Sequence, residues 1–185
     1  VTRFSAEHAF EDLRHVIAGV DETEVEALEK RLLAADNIFV TGLGRTGLMA
    51  RGFAMRLMHL GRKVYHVGDV ITPAISDGDL LVICTRTGRS RILKHYIDIA
   101  RHAGAAVAVV TGNRKSAVAK RADAVLTVDD RPALEARKKN KGRVHPLGSL
   151  FEQALLVVLD QVVLSLMEAL ELTEGDLASV HTTFE

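Results

Sequence analysis

The chain has 185 residues, 24 basic and 24 acidic, and 48% of it is hydrophobic. That size suits a single domain with a continuous core, and the apolar content excludes a disordered chain. Balanced charge removes any general attraction to nucleic acid or an anionic membrane, and one cysteine, Cys84, forms no internal disulfide.

Two amphipathic segments come first. Ala9, Phe10, Leu13, Val16 and Ile17 recur at helical spacing, as do Val25, Leu28, Leu32 and Leu33. Gly19 breaks the pattern, and Asp21 or Glu22 opens the second helix. These predict N-terminal helices over 5–35. The period then changes to short continuous apolar runs: Ile38–Thr41, Val64–Val67, Leu80–Cys84, Val107–Thr111 and Val125–Val128. Runs of this kind read as buried parallel strands. Helical stretches separate most of them, at Thr46–His59, Arg91–His102 and Ser116–Arg121. Between Asp129 and Pro146 six basic residues crowd a stretch almost free of large apolar side chains. It reads as a solvated, mobile loop, with a lid over an anionic ligand as the alternative. A long apolar helix follows from Leu147 to Leu170. Its Asp160, Gln161 and Glu168 argue against a bilayer span. Its all-round apolar character predicts burial by a partner subunit, so 147–181 is expected to be an oligomerisation segment. A short helix from Glu174 leads to His181.

Alternating strands and helices imply an α/β fold, a parallel sheet flanked by helices. Ligand sites in such sheets lie beyond the C-terminal strand ends. Three turns fall on that rim: Thr41–Gly47, Thr85–Ser90 and Thr111–Ser116, each carrying hydroxyls, glycine and arginine. In the second, Thr85, Arg86, Thr87, Gly88, Arg89 and Ser90 lie between a strand and a helix. Backbone N–H groups and the helix dipole suit such a turn to phosphate, and the arginines add charged donors. An ordinary capped turn with Ser90 as N-cap is the plainer reading. Gly42, Gly44 and Gly47 match the dinucleotide fingerprint, and Asp69 lies near the distance for a ribose-binding acid. The other two turns are not of dehydrogenase type, however. Arg45 and Thr46 read better as side-chain ligands for a small phosphorylated molecule, and the glycines also suit a tight strand–helix turn.

Cys84 ends an apolar strand and reads as a small buried residue, with a reactive thiol as the alternative. No histidine pair has metal-ligand spacing. His8, His15, His59, His95 and His102 fall in helical segments as surface or boundary residues, and His66 ends a strand that faces the rim. His145 and His181 flank the long C-terminal helix. Glu152, in the first turn of that helix, either complements its dipole or serves as a general base.

Taken together, Thr41–Leu48, Ala54–Gly61, Gly68-Asp69 with Thr72–Ile75, Thr111-Gly112-Asn113, Gly148–Gln153 and the closing His181 with Glu185 resemble the 6-phospho-3-hexuloisomerases. That family lies within the sugar isomerase (SIS) domain superfamily, and the resemblance covers essentially the whole chain. It implies a single SIS domain over 1–185, a flavodoxin-like three-layer sandwich with a five-stranded parallel sheet. It also implies a tetramer that binds phosphosugars at subunit interfaces, and the single cysteine fits a reducing, cytoplasmic location. The activity implied is interconversion of 3-hexulose 6-phosphate and fructose 6-phosphate through an enediol, without metal or organic cofactor. Glu152 is the implied base, and His181 from a neighbouring subunit the shuttle or ring-opening acid. Gly44, Arg45 and Thr46 would contact the sugar or its phosphate, and Thr85, Arg86, Thr87, Gly88, Arg89 and Ser90 would hold the phosphate. Where the family has Ser-Gly-Ser-Gly, this chain has Thr85-Arg86-Thr87-Gly88, so a non-catalytic sugar-phosphate-binding or sensing protein is the alternative.

Overall fold

The computed structural model describes residues 6–139 and 145–183. Two N-terminal helices, α1 (Ala6–Ile17) and α2 (Glu22–Ala34), precede β1 (Ile38–Gly42) and α3 (Gly44–His59). The chain continues through β2 (Val64–His66), β3 (Leu80–Thr85), α4 (Arg91–His102), β4 (Ala106–Thr111) and β5 (Ala124–Thr127). It ends with α5 (Arg131–Lys139), α6 (Ser149–Ala169) and α7 (Glu174–Ser179). Asp21 opens α2 by accepting from the Thr23 N–H, and a capping box between Thr173 and Asp176 opens α7.

All five strands are parallel, in the order β2-β1-β3-β4-β5. Side chains alternate across each strand. Ile38, Val40, Leu80, Val82, Cys84, Ala108 and Val110 enter the larger core, with α2, α3 and α6. Phe39, Leu81, Ile83, Val107 and Val109 form the smaller core, with α4. The result is the expected three-layer α/β sandwich. Strand order reverses direction between β1 and β3, so the rim beyond β1, β3 and β4 is the topological switch point where such sheets bind ligands.

Three expectations need correction. The segment 129–146 is not loop throughout: α5 occupies Arg131–Lys139, and residues 140–144 lie outside the described residues. Counting charge hid the pattern that forms this helix. Asp129 accepts from the Arg131 N–H, Ala133 is buried, Leu134 packs on the core, and Arg137 reaches Asp12 on α1. The helix expected at Ser116–Arg121 is only a 3₁₀ turn at Ala119–Arg121, because β5 starts three residues later. The long helix starts at Ser149, after a separate 3₁₀ turn at Pro146–Gly148.

By length and composition the segment Pro146–Ala169 is apolar enough to cross a membrane, but half of it is buried within this fold. Leu150, Phe151, Ala154, Leu155, Val158 and Leu159 are core residues. It is the central helix of the larger core. Cys84 is also fully buried, and burial pushes its thiol up to about 12, so it is an inert packing residue and the reactive-thiol alternative falls.

Candidate active site

The three turns meet on one rim. Gly42 pairs with Cys84 and Thr85 with Thr111, which sets the β1, β3 and β4 exits side by side. Gly47 folds tightly onto the end of β1: a Cβ there would stand 2.6 Å from the Gly42 carbonyl oxygen. Gly88, with φ of +61°, lies on the next turn, where a Cβ would meet Ser116 Oγ at 2.1 Å. Gly42 and Gly47 of the fingerprint therefore serve tight packing, whereas Gly44, with open space around it, serves the turn through its φ of +59°. Asp69, the candidate ribose acid, is held instead by both guanidinium nitrogens of Arg51, at 2.7 and 3.1 Å. That pairing keeps the Asp69 carboxyl below its ordinary range.

Helices α3, α4 and α6 all begin at this rim. Their N-cap residues, Leu43, Ser90 and Gly148, make no side-chain capping bond. Each helix thus presents uncapped N–H groups and the positive end of its dipole, a setting that favours an anion. Ser90 holds the expected N-cap position without the expected cap. The Thr85 hydroxyl accepts from the Gly88 N–H at 3.2 Å and so shapes the turn from within. Thr87 and Arg89 are exposed on it, and Thr46 is buried at the start of α3.

The first turn of α6 touches all three strand exits. Glu152 pairs with Arg45 Nε at 3.2 Å, across to the start of α3. Phe151 packs at Gly112, where a Cβ would be 3.4 Å from its ring. Gly148 lies against the stem of Arg86. Arg86 donates through Nε to Asp130 at 2.8 Å, and Asp130 is only 1% exposed. Asp130 is the site-region residue that the sequence reading missed; its signal was an acid just past the last apolar strand. Next to it, burial would raise the Asp129 carboxyl, but hydrogen bonds from Arg131 outweigh this and hold it below its ordinary range.

His181 stands elsewhere in the fold. Its ring stacks on His59, the last residue of α3, with centroids 5.3 Å apart. Arg45 lies at the start of that 16-residue helix, about 21 Å away along its axis. Glu152 and His181 of one chain are therefore not brought together. His59, expected near the surface, is 4% exposed. His66 does not open onto the rim: its side chain is largely buried, 3.6 Å from Asp69, and burial with the nearby Arg51 charge lowers its pKa. His145 bonds to Asp12 at 3.1 Å, beside Arg137, and ties the approach to α6 onto α1. Among the described residues no group of three His, Cys, Asp or Glu side chains is arranged to hold a metal ion.

The SIS domain family matches residues 31–136. Across 94% of both chains, the protein is 36% identical to the 3-hexulose-6-phosphate isomerase of Bacillus subtilis strain 168. The chain belongs to this family of SIS isomerases. The 3-hexulose-6-phosphate isomerase of Mycobacterium gastri is 38% identical, over 95% of this chain and 87% of that one. A Methanococcus jannaschii protein, whose crystal structure led to an inferred 3-hexulose-6-phosphate isomerase function, has a TM-score of 0.74 at 27% identity. It covers 96% of this chain and 95% of that one. Family membership agrees with the rim geometry: a phosphosugar offers one dianionic group and a polyol chain.

Proposed function

We propose that the protein is a phosphosugar ketose isomerase that interconverts 3-hexulose 6-phosphate and fructose 6-phosphate. The Arg45–Glu152 pair at the junction of three uncapped helix N-termini carries the reading. A carboxylate there can move a proton while nearby donors stabilise an oxyanion. The phosphate sits on the Thr85–Ser90 turn, against the N-terminus of α4, with Thr87, Gly88, Arg89 and Ser90 as its ligands and Gly44 and Thr46 opposite. Glu152 removes the proton from C2 of the 3-ketose, and electrons shift to give a C2–C3 enediol. The same carboxylate returns the proton to C3, while the O2 proton passes to O3, leaving the carbonyl at C2. Arg45 donates to the developing enediolate oxygen as Glu152 takes up the proton and gives up its negative charge.

His181 completes this site from a neighbouring subunit. Support comes from the outer faces of α3 and α6, where Leu48, Met55, Met58, Leu156 and Leu164 are exposed. The same faces carry Arg45 and Glu152, so a second copy covering them would also close over the site. We read the assembly as a homotetramer, the 147–181 segment as part of its interface, and the cytoplasm as its location.

The test is a phosphosugar panel in deuterated water. Deuterium incorporation into fructose 6-phosphate, with appearance of the 3-ketose, is the expected result. Binding without any exchange would favour a sugar-phosphate sensor and contradict the isomerase reading.

A further inference from the structure

One buried ion pair at the rim takes no part in that proton transfer. Asp130 is 1% exposed, and Arg86 is the side chain that donates to it. A carboxylate taken this far out of water needs its countercharge in place. The arginine reaches it by crossing the entry to α6. A Cβ at Gly148 would stand 2.8 Å from Arg86 Cδ and 3.2 Å from its Nε, and a Cβ at Gly112 would stand 2.9 Å from the Arg86 carbonyl oxygen. One residue therefore lies against the exits of β4 and β5 and the start of α6 together.

That start is an unusual turn. Leu147 and Gly148 are consecutive left-handed residues, with φ of 49° and 88°. Left-handed backbone is unfavourable for leucine, and the Leu147 side chain is fully exposed, so its own burial does not hold the turn. Gly148 lacks a side-chain capping bond as well. On its inner side the turn packs against the Arg86 stem. Glu152 follows Gly148 by four residues, one helical turn.

We propose that Arg86, clamped by Asp130, is a positioning residue: it fixes the entry of α6 and thereby the placement of the Glu152 carboxylate. This rests on the reading of Glu152 as the base. It gives Arg86 a different task from the phosphate ligand that the sequence pattern implied, and the two tasks leave different kinetic signatures. A phosphate ligand acts mainly on KM, whereas a group that aims the base acts on kcat.

The test compares Asp130→Asn, the paired variant Arg86→Met with Asp130→Asn, and Glu152→Gln, using fructose 6-phosphate. Folded fraction is measured by circular dichroism, so that kcat is expressed per folded molecule. The paired variant keeps the arginine stem and leaves no buried charge unpaired, so it guards against simple misfolding. Both clamp variants are expected to lose kcat about tenfold or more, with KM within about threefold of the parent. The acid limb of the kcat–pH profile, set by the base, moves in both, which partial unfolding alone would not produce. Unchanged kcat with KM raised about tenfold in the paired variant would overturn the clamp and restore Arg86 as a phosphate ligand. Loss of activity in Glu152→Gln beside unchanged clamp variants would overturn the clamp alone. Full activity in Glu152→Gln would overturn the base and the clamp together.

Discussion

Replacing Gly88 by alanine probes the joint between two turns of the rim. The backbone has φ of +61°, and the new Cβ would fall 2.1 Å from Ser116 Oγ and 2.4 Å from Ser116 Cβ. A rotamer change moves the hydroxyl but not the Cβ, so the turns themselves must separate. The left-handed conformation costs alanine about 1 kcal/mol. Ser116 Oγ also accepts from the Ala119 N–H at 3.1 Å, and losing that bond costs about 1 kcal/mol. Relieving the overlap by backbone shift adds about 1–2 kcal/mol, as overpacked sites do. The expected loss is therefore roughly 3–4 kcal/mol, which urea unfolding at constant m would register as a large drop in midpoint. Ser116→Gly in the same background removes the overlap and is expected to recover about 1 kcal/mol or more, despite the lost cap. Fructose 6-phosphate affinity is expected to fall with the single substitution, because the turn is the proposed phosphate seat. A Gly88→Ala protein within about 0.5 kcal/mol of the parent would refute the close-packed joint.

Three further outcomes follow from other parts of the molecule. Cys84, with its thiol pushed to about 12 by burial, is expected to resist iodoacetamide at pH 8 until denaturant is added; rapid labelling of folded protein would contradict this. Asp79 accepts from both nitrogens of Asn37 and from Ser76 N and Oγ. Burial pushes its carboxyl up, but those bonds outweigh burial and hold it below its ordinary range. Its stabilisation is therefore present above about pH 4 and is lost as pH falls further. Asp79→Asn is expected to cost about 1–3 kcal/mol at pH 7 and to converge with the parent in strong acid, as read by urea titrations across pH. Leu48→Glu with Met55→Glu puts charge on the exposed α3 face and is expected to lower the mass measured by light scattering and to abolish turnover. A fully active monomer would contradict the shared site.

The sheet was legible in the chain because the three central strands, buried on both faces, leave continuous apolar runs, bounded by hydroxyl- and glycine-rich turns, while the half-buried edge strands β2 and β5 leave shorter ones. The rim followed from topology, since parallel strands bring their exits to one edge. Glu152 was legible as a lone acid opening an apolar helix, although its Arg45 partner lies 107 positions away in a turn that reads as a phosphate loop. What stayed hidden depended on contacts distant in sequence. Arg137 looked like part of a solvated basic run, yet it pairs with Asp12 and holds α5 to α1. The pairing of Arg86 with Asp130 was likewise hidden, because Asp130 is buried beyond another strand. His181 and His59 carry no local pattern that predicts their stacking, because four strands and the helices α4 to α7 lie between them in the chain.

Proton exchange by the Glu152→Gln variant tests the central claim most directly. The parent and variant proteins are incubated with fructose 6-phosphate in deuterated water, and incorporation is followed by NMR while binding is measured by thermal shift. The predicted result is retained binding with exchange reduced at least about a hundredfold, the scale on which a general base contributes. Exchange at the parental rate in a folded, sugar-binding Glu152→Gln protein would contradict the assignment of the base.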